Sequence, residues 1–199
     1  MTELYEIERR TDVSILRLVS VDGTNRLTRE RVLALTDCLR TLASDPRPLV
    51  LTGNLKFFSA GADLEEIAAL TGPAAYEFSL MGQRLMFSIE QFPAPVCAAI
   101  HGYCMGGGLD LALACHCRYA SPHAVFGHRG AALGLITGWG GTQRLPRLVG
   151  KARALEIFVT AEKIHAKQAL CYGLIESVDD DPITAALQRL NKHWADSRK

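Results

Sequence analysis

Residues 93–113, Pro-Ala-Pro-Val-Cys-Ala-Ala-Ile-His-Gly-Tyr-Cys-Met-Gly-Gly-Gly-Leu-Asp-Leu-Ala-Leu, read as a buried strand entering a three-glycine turn and then a helix with a carboxylate in its first turn. That order is the layout of an oxyanion-binding site. Gly106, Gly107 and Gly108 leave the main chain bare where strand becomes helix, so N–H groups can approach a ligand oxygen while the positive end of the helix dipole favours negative charge. Asp110 follows within one turn. Helical side chains lean toward the N-terminus, so its carboxylate is expected beside those amides, where it can exchange a proton with a ligand. The same residues also suit an ordinary helix start, since glycine-rich turns precede many helices and aspartate is favoured in any first turn.

Outward from this stretch the pattern is that of an α/β chain. Tyr5–Arg9 and Ser14–Val19 alternate sides and read as a hairpin turning at Thr11-Asp12. Thr28 to Leu42 reads as a helix with Thr28 as N-cap and Val32, Leu35 and Leu39 on one face, stopped by Pro46-Arg47-Pro48. Leu49–Thr52 is a continuous apolar run ended by Gly53-Asn54, which suits a strand buried on both faces. A glycine-containing loop at Phe57–Asp63 precedes helices over 64–70 and 73–91, and Pro95–Ile100 is the next buried strand. Beyond the glycine turn a helix runs to Ala114. Short strands follow at Arg118–Ala120 and Val125–Phe126, then a glycine-rich loop over Gly134–Gly141. Helices near 143–148, 151–159 and 166–172, a strand at Leu174–Val178 and a helix from Pro182 complete the chain.

Composition narrows the function without choosing it. With 199 residues, 48% of them hydrophobic, one domain is expected over 1–199, its core in 1–178 and a short helical cap in 182–199. The net charge is +1 and no positive run exceeds two residues, so neither nucleic acid nor a membrane surface is expected as partner. The first residues lack the apolar stretch of a signal peptide and no apolar run is long enough to span a bilayer, so a soluble, cytoplasmic protein is expected. The cysteines are Cys38, Cys97, Cys104, Cys115, Cys117 and Cys171, mostly within apolar segments, and are read as reduced core residues. Cys115-His116-Cys117 has no second ligand pair at zinc-site spacing, so no metal is expected, and Cys104 reads as a small apolar residue under a tight turn.

Chemistry emerges when three loops are combined. Phe57-Phe58-Ser59-Ala60-Gly61-Ala62-Asp63 ends in small residues just before a helix, making the Ala62 amide a second candidate donor. With the Gly107 amide it would form a two-donor hole for an enolate or tetrahedral oxyanion, a donor of this kind being worth about 2.7–4 kcal/mol in the transition state. The third loop, Gly134 through Leu145, either walls the same pocket or is a surface loop.

Taken in order, these motifs resemble the crotonase superfamily, the enoyl-CoA hydratase/isomerase family. The resemblance rests on Ser59 to Leu64, Pro95 to Asp110, Phe126-Gly127 with Leu133-Gly134, Gly140 to Leu145, and Ala166-Lys167-Gln168-Ala169 leading to Gly173-Leu174-Ile175, and covers roughly residues 5–178. It implies an α/β fold, a crotonase-like spiral of ββα units. It also implies an acyl-CoA or acyl-carrier thioester as ligand, coenzyme A only as part of the substrate, and a homo-oligomer, trimer or hexamer. The thioester carbonyl would be held by the amides of Ala62 and Gly107, and Lys56, Phe57, Ala60 and Asp63 are the implied coenzyme A contacts.

Departures limit how far activity carries over. Hydratases of the family use two glutamates; the first matches Asp110, one methylene shorter, and the second falls on Gly130 in a run that aligns without a gap. Three accounts stay open. In the first Asp110 alone moves the proton, as in isomerases and some lyases; in the second His128, two residues from Gly130, substitutes; in the third the glycine leaves room for a small anion such as bicarbonate, as in some naphthoate synthases, whose aspartate falls here on Thr137. Hydration or dehydration, double-bond isomerisation and decarboxylation are therefore all carried forward. A catalytically degenerate thioester-binding or scaffolding subunit is the competing class. The C-terminal helical segment is shorter than the family's, with Ile183, Ala186, Leu187 and Leu190 spaced to act as a reduced cap or to dock on a neighbour.

Overall fold

The structure is a computed structural model that describes residues 4–196. In chain order its strands are β1 (Tyr5–Arg9), β2 (Ser14–Leu18), β3 (Leu49–Thr52), β4 (Phe57–Ser59), β5 (Val96–Ile100), β6 (Tyr103–Met105), β7 (Cys117–Ala120), β8 (Val125–Gly127), β9 (Ile164–His165) and β10 (Ser177–Val178). The helices are α1 (Arg29–Leu42), α2 (Leu64–Ala68), α3 (Gly72–Glu90), α4 (Gly107–Ala114), α5 (Gly141–Val149), α6 (Lys151–Thr160), α7 (Ala166–Cys171) and α8 (Pro182–Asp196).

Two sheets result, a six-stranded one in the order β1-β2-β3-β5-β7-β10 and a four-stranded one in the order β4-β6-β8-β9. After the β1–β2 hairpin, β2, β3, β5, β7 and β10 run parallel to their neighbours. From β3 onward the chain repeats one move: a strand in the large sheet, a short strand in the small sheet, then helix. Each of β3–β4, β5–β6 and β7–β8 advances both sheets by one strand, which is the spiral of ββα units that the motifs imply. Every residue of β3 and β5 is buried, and so both read as unbroken apolar runs rather than alternating ones.

The helices follow their sequence signals. The Thr28 side chain accepts from the Arg31 N–H at the start of α1. In α3, Phe78, Met81, Leu85, Met86 and Ile89 recur on the face turned to the core. Residues Gly108 to Ala114 of α4 are all buried, so this helix runs through the core and carries Asp110 into it.

Several expectations need correction. Along its described side chains the C-terminal helix is not left unpartnered: Ala186 and Leu190 of α8 pack on Val13, Ile15, Val50, Cys97, Ala99 and Tyr119. Side chains alternate across strands, so the large sheet has a second apolar face that must be covered, and α8 covers it. Nor are all six cysteines reduced. Cys97 of β5 and Cys117 of β7 face each other in register, Cα atoms 4.6 Å apart, and form a disulfide; Cys38, Cys104, Cys115 and Cys171 are free. The expected strand over Leu174–Val178 shortens to Ser177–Val178, with Leu174 and Ile175 buried in the turn after Gly173. The short strands β4, β6 and β9 lie in stretches where no strand is expected from the sequence.

Candidate active site

The small sheet sets the geometry. Phe57 pairs with Tyr103 and Ser59 with Cys104, so β4 and β6 run side by side and the chain leaves both at one end, bringing residues 60–62 against 105–108. The approach is too close for side chains. A methyl group on Gly61, whose φ is +96°, would lie 2.6 Å from the Met105 carbonyl oxygen and 3.1 Å from the Gly107 nitrogen. One on Gly107 would lie 3.2 Å from the Ala62 nitrogen, and one on Gly108 would lie 2.6 Å from the Ser59 carbonyl oxygen.

Around this junction several amides are bonded within the chain, while among the described residues those that open α4 are not. The Gly61 N–H donates to Ser59 Oγ, Gly106 N–H to the Gly127 carbonyl and Asp110 N–H to the Gly106 carbonyl. The N–H groups of Ala62 and Gly107 have no acceptor among the described residues. Gly107 is also the first residue of α4, so the positive end of that helix adds to its donor strength.

Asp110 is 1% exposed, and its two carboxylate oxygens have different neighbours. Thr137 Oγ1 donates to Oδ2. Oδ1 lies 3.2 Å from His128 Nε2, in contact but without hydrogen-bond geometry, so both are buried polar atoms lacking a hydrogen-bond partner. Gly141, which opens α5, closes over them: a methyl there would overlap Asp110 Oδ1 and come within 2.9 Å of His128 Nε2. The buried His128 ring leans against Phe158, centroids 5.1 Å apart. An uncompensated buried carboxylate is costly, and the hydroxyl, the imidazole and the α5 N-terminus are the groups that meet this one.

His128 therefore reaches Asp110, and Gly130 stands in a different setting. Its carbonyl accepts from the amides of Leu133 and Leu135, and a methyl on it would lie 2.6 Å from the Leu135 carbonyl oxygen. Thr137, noted in the sequence only as the residue standing where a related aspartate would fall, proves to be bonded to Asp110 across 27 positions. No local pattern announces such a pair. Trp139 is a second residue without a sequence signal; it is buried beside Gly107.

The expected coenzyme A contacts separate into two kinds. Lys56 is exposed with its ammonium 5.8 Å from the centre of the half-buried Phe57 ring, which in turn tilts against Tyr103 at 5.4 Å. Ala60 is half-buried with its amide bonded to the Thr24 carbonyl. Asp63 is buried and engaged within the chain: Oδ1 caps α2 through the Glu65 and Glu66 amides, and Oδ2 accepts from Arg26 at 3.1 Å.

The cysteines near the turn have other roles. Cys104 is fully buried with its thiol against the Gly108 carbonyl, and burial holds it well above the usual thiol range; Cys115 is pushed up to about 12 for the same reason. Cys115, His116 and Cys117 diverge, since His116 Nδ1 accepts from the Val96 amide and Cys117 is in the disulfide. Among the described residues no three His, Cys, Asp or Glu side chains gather as a metal set, and no helix is long and apolar enough to cross a membrane.

A spiral of ββα units with a pair of unbonded amides at the strand ends defines the class of fold, and known proteins narrow it. A model of the family described as "Enoyl-CoA hydratase/isomerase" matches residues 8–198. A Bacillus subtilis protein described as "Probable enoyl-CoA hydratase" is 46% identical over 156 residues, covering 76% of this chain and 60% of its own length. A "Crotonyl-CoA hydratase" of Syntrophomonas wolfei is 37% identical over 175 residues, covering 86% of this chain and 67% of that protein. The crystal structure of an enoyl-CoA hydratase from Bacillus anthracis superposes with a TM-score of 0.90 at 35% identity, covering 96% of this chain and 76% of that one. The chain belongs to the enoyl-CoA hydratase/isomerase (crotonase) family. It spans 60% and 67% of the length of these two curated relatives.

Proposed function

We propose that the protein acts on an acyl-CoA thioester, holding the carbonyl oxygen between the amides of Ala62 and Gly107 while Asp110 moves a proton at the adjacent carbon. The observation that carries this reading is the approach of two N–H groups without acceptors, those of Ala62 and Gly107, on backbones too close for side chains and beside the buried Asp110. Two donors aimed at one oxygen stabilise an enolate more than the ketone-like ground state, because negative charge grows on that oxygen during proton removal. Lys56, Phe57 and Ala60 would contact the coenzyme, and Asp63 would hold the donor loop through α2 and Arg26.

Isomerisation of an enoyl thioester is the reaction this acid set serves best. One carboxylate can remove a proton from one carbon and return it to another, whereas hydration as the family's two-glutamate members perform it needs a second acid, and the residue at that place is Gly130. His128, 3.2 Å from Asp110, would polarise the carboxylate or exchange its proton. A second reading, hydration, is favoured by the relatives' descriptions as hydratases. Incubation with 3-enoyl-CoA and with crotonyl-CoA separates the two: interconversion of 3-enoyl and 2-enoyl esters supports isomerisation, and formation of 3-hydroxyacyl-CoA supports hydration. Tight binding of both with turnover of neither would leave a degenerate binding subunit. Self-association belongs to the same proposal, supported by the exposed Leu148, Leu155 and Val159 on α5 and α6; light scattering of the purified chain tests it.

A further inference from the structure

Glycines inside helices usually weaken them relative to alanine, so one in mid-helix calls for a packing reason. Gly82 of α3 has one. A methyl there would overlap Nε1, Cδ1 and Cε2 of Trp139, so the pyrrole edge of the indole occupies the space of a missing side chain. The opposite edge does the same on α4, where a methyl on Gly107 would lie 2.6 Å from Cζ3 and 2.8 Å from Cε3. The indole is thus slotted between two glycines on two helices. It is 3% exposed, its ring tilts against Phe78 at 5.3 Å, and Nε1 donates to the Phe78 carbonyl at 3.3 Å.

This slot touches the carbonyl site. Gly107 supplies one of the two unbonded amides, and the point that its methyl would occupy lies 3.2 Å from the nitrogen of the other, on Ala62. The Trp139 backbone is also tied to the acid: its amide donates to Thr137 Oγ1 at 3.4 Å, and that hydroxyl donates to Asp110. On either side of Trp139, Gly138 and Gly140 line a cleft of about 640 Å³ that continues along Ser79, Gln83, Arg144 and Arg147. Trp139 itself is not part of that lining; it stands between the cleft and the amides.

We propose that Trp139 is the specificity-determining wall of the acyl site, restricting the protein to short acyl thioesters. This rests on the reading that Ala62 and Gly107 hold the thioester carbonyl. A carbonyl seated on these amides places its first carbons against the benzo edge of the indole. A short chain ends there, while a longer one must displace a ring that two helices have been cut back to receive. Removing the indole joins the carbonyl site to the cleft and gives a long chain a path out.

Saturated CoA esters test this without turnover. Free coenzyme A and its butanoyl, octanoyl and dodecanoyl esters are titrated calorimetrically into the full chain and into Trp139→Ala and Trp139→Phe. The wild type is expected to bind the butanoyl ester more tightly than the dodecanoyl ester by roughly tenfold or more, and Trp139→Ala to cancel or reverse that ratio. Trp139→Phe keeps an aromatic ring against Phe78 while shortening the edge at Gly107, and should fall between them. It keeps the test decisive if the alanine variant does not fold. A wild type that binds all three esters equally, or variants that retain the wild-type ratio, would overturn the wall while leaving the carbonyl site standing. Failure of the wild type to bind any ester above free coenzyme A would remove the carbonyl site, and the wall with it.

Discussion

The two halves of the candidate site are made of different material. The donor half, Ala62 and Gly107, is main chain fixed by the small sheet, with glycines at 61, 107 and 108 because the backbones approach within side-chain distance. The acid half is three side chains, Asp110, His128 and Thr137, brought together from separate segments and closed over by Gly141. A main-chain hole survives any substitution that keeps the backbone path, whereas an acid assembled from side chains can be retuned one residue at a time. Family membership therefore carries the donor half further than the acid half, and Gly130, where the motif resemblance leads one to expect glutamate, stands outside the acid cluster against Leu135.

That contrast can be broken at several points. The largest effect is expected from Gly61→Ala, which combines a positive φ with a backbone overlap at Met105; a loss of about 3 kcal/mol or more in urea unfolding is expected, with thioester binding abolished. Asp110→Asn should leave binding of a saturated acyl-CoA intact and lower kcat by about a hundred- to ten-thousandfold; unchanged turnover would make Asp110 structural. Thr137→Val removes the hydroxyl that donates to Asp110 and should lower kcat by about tenfold with little change in binding, read by steady-state kinetics beside calorimetry. Gly130→Glu is expected to confer no hydration of crotonyl-CoA, because its Cβ meets the Leu135 carbonyl, and to cost about 1–3 kcal/mol in stability; new hydratase activity would show that the turn at 134–136 yields.

How much of this was legible depends on the length over which a signal repeats. β1, β3 and α1 are legible in the chain to within a residue, since alternation, an unbroken apolar run and a 3.6-residue stripe each extend over several positions. The small sheet is not: β4, β6 and β9 are two or three residues long, too short for any period, and two of them lie in segments whose glycines read as loop. Yet that sheet is what brings Ala62 to Gly107. The motif resemblance named both residues; only the register of β4 on β6 explains why they meet. The Asp110–Thr137 contact and the Cys97–Cys117 bridge were illegible for a related reason, because each depends on which segments lie side by side rather than on either segment alone.

The bridge has a topological consequence. Cys97 and Cys117 are 20 positions apart, and the ring they close contains the glycine turn, Gly107, Asp110 and all of α4. An unfolded chain with the bridge intact would keep the donor turn and its acid on one short tether, cutting the freedom they would regain by about 3 kcal/mol in a chain-entropy account. Unfolding with and without reductant therefore compares two denatured states, one in which the centre of the site is still a loop and one in which it is open chain.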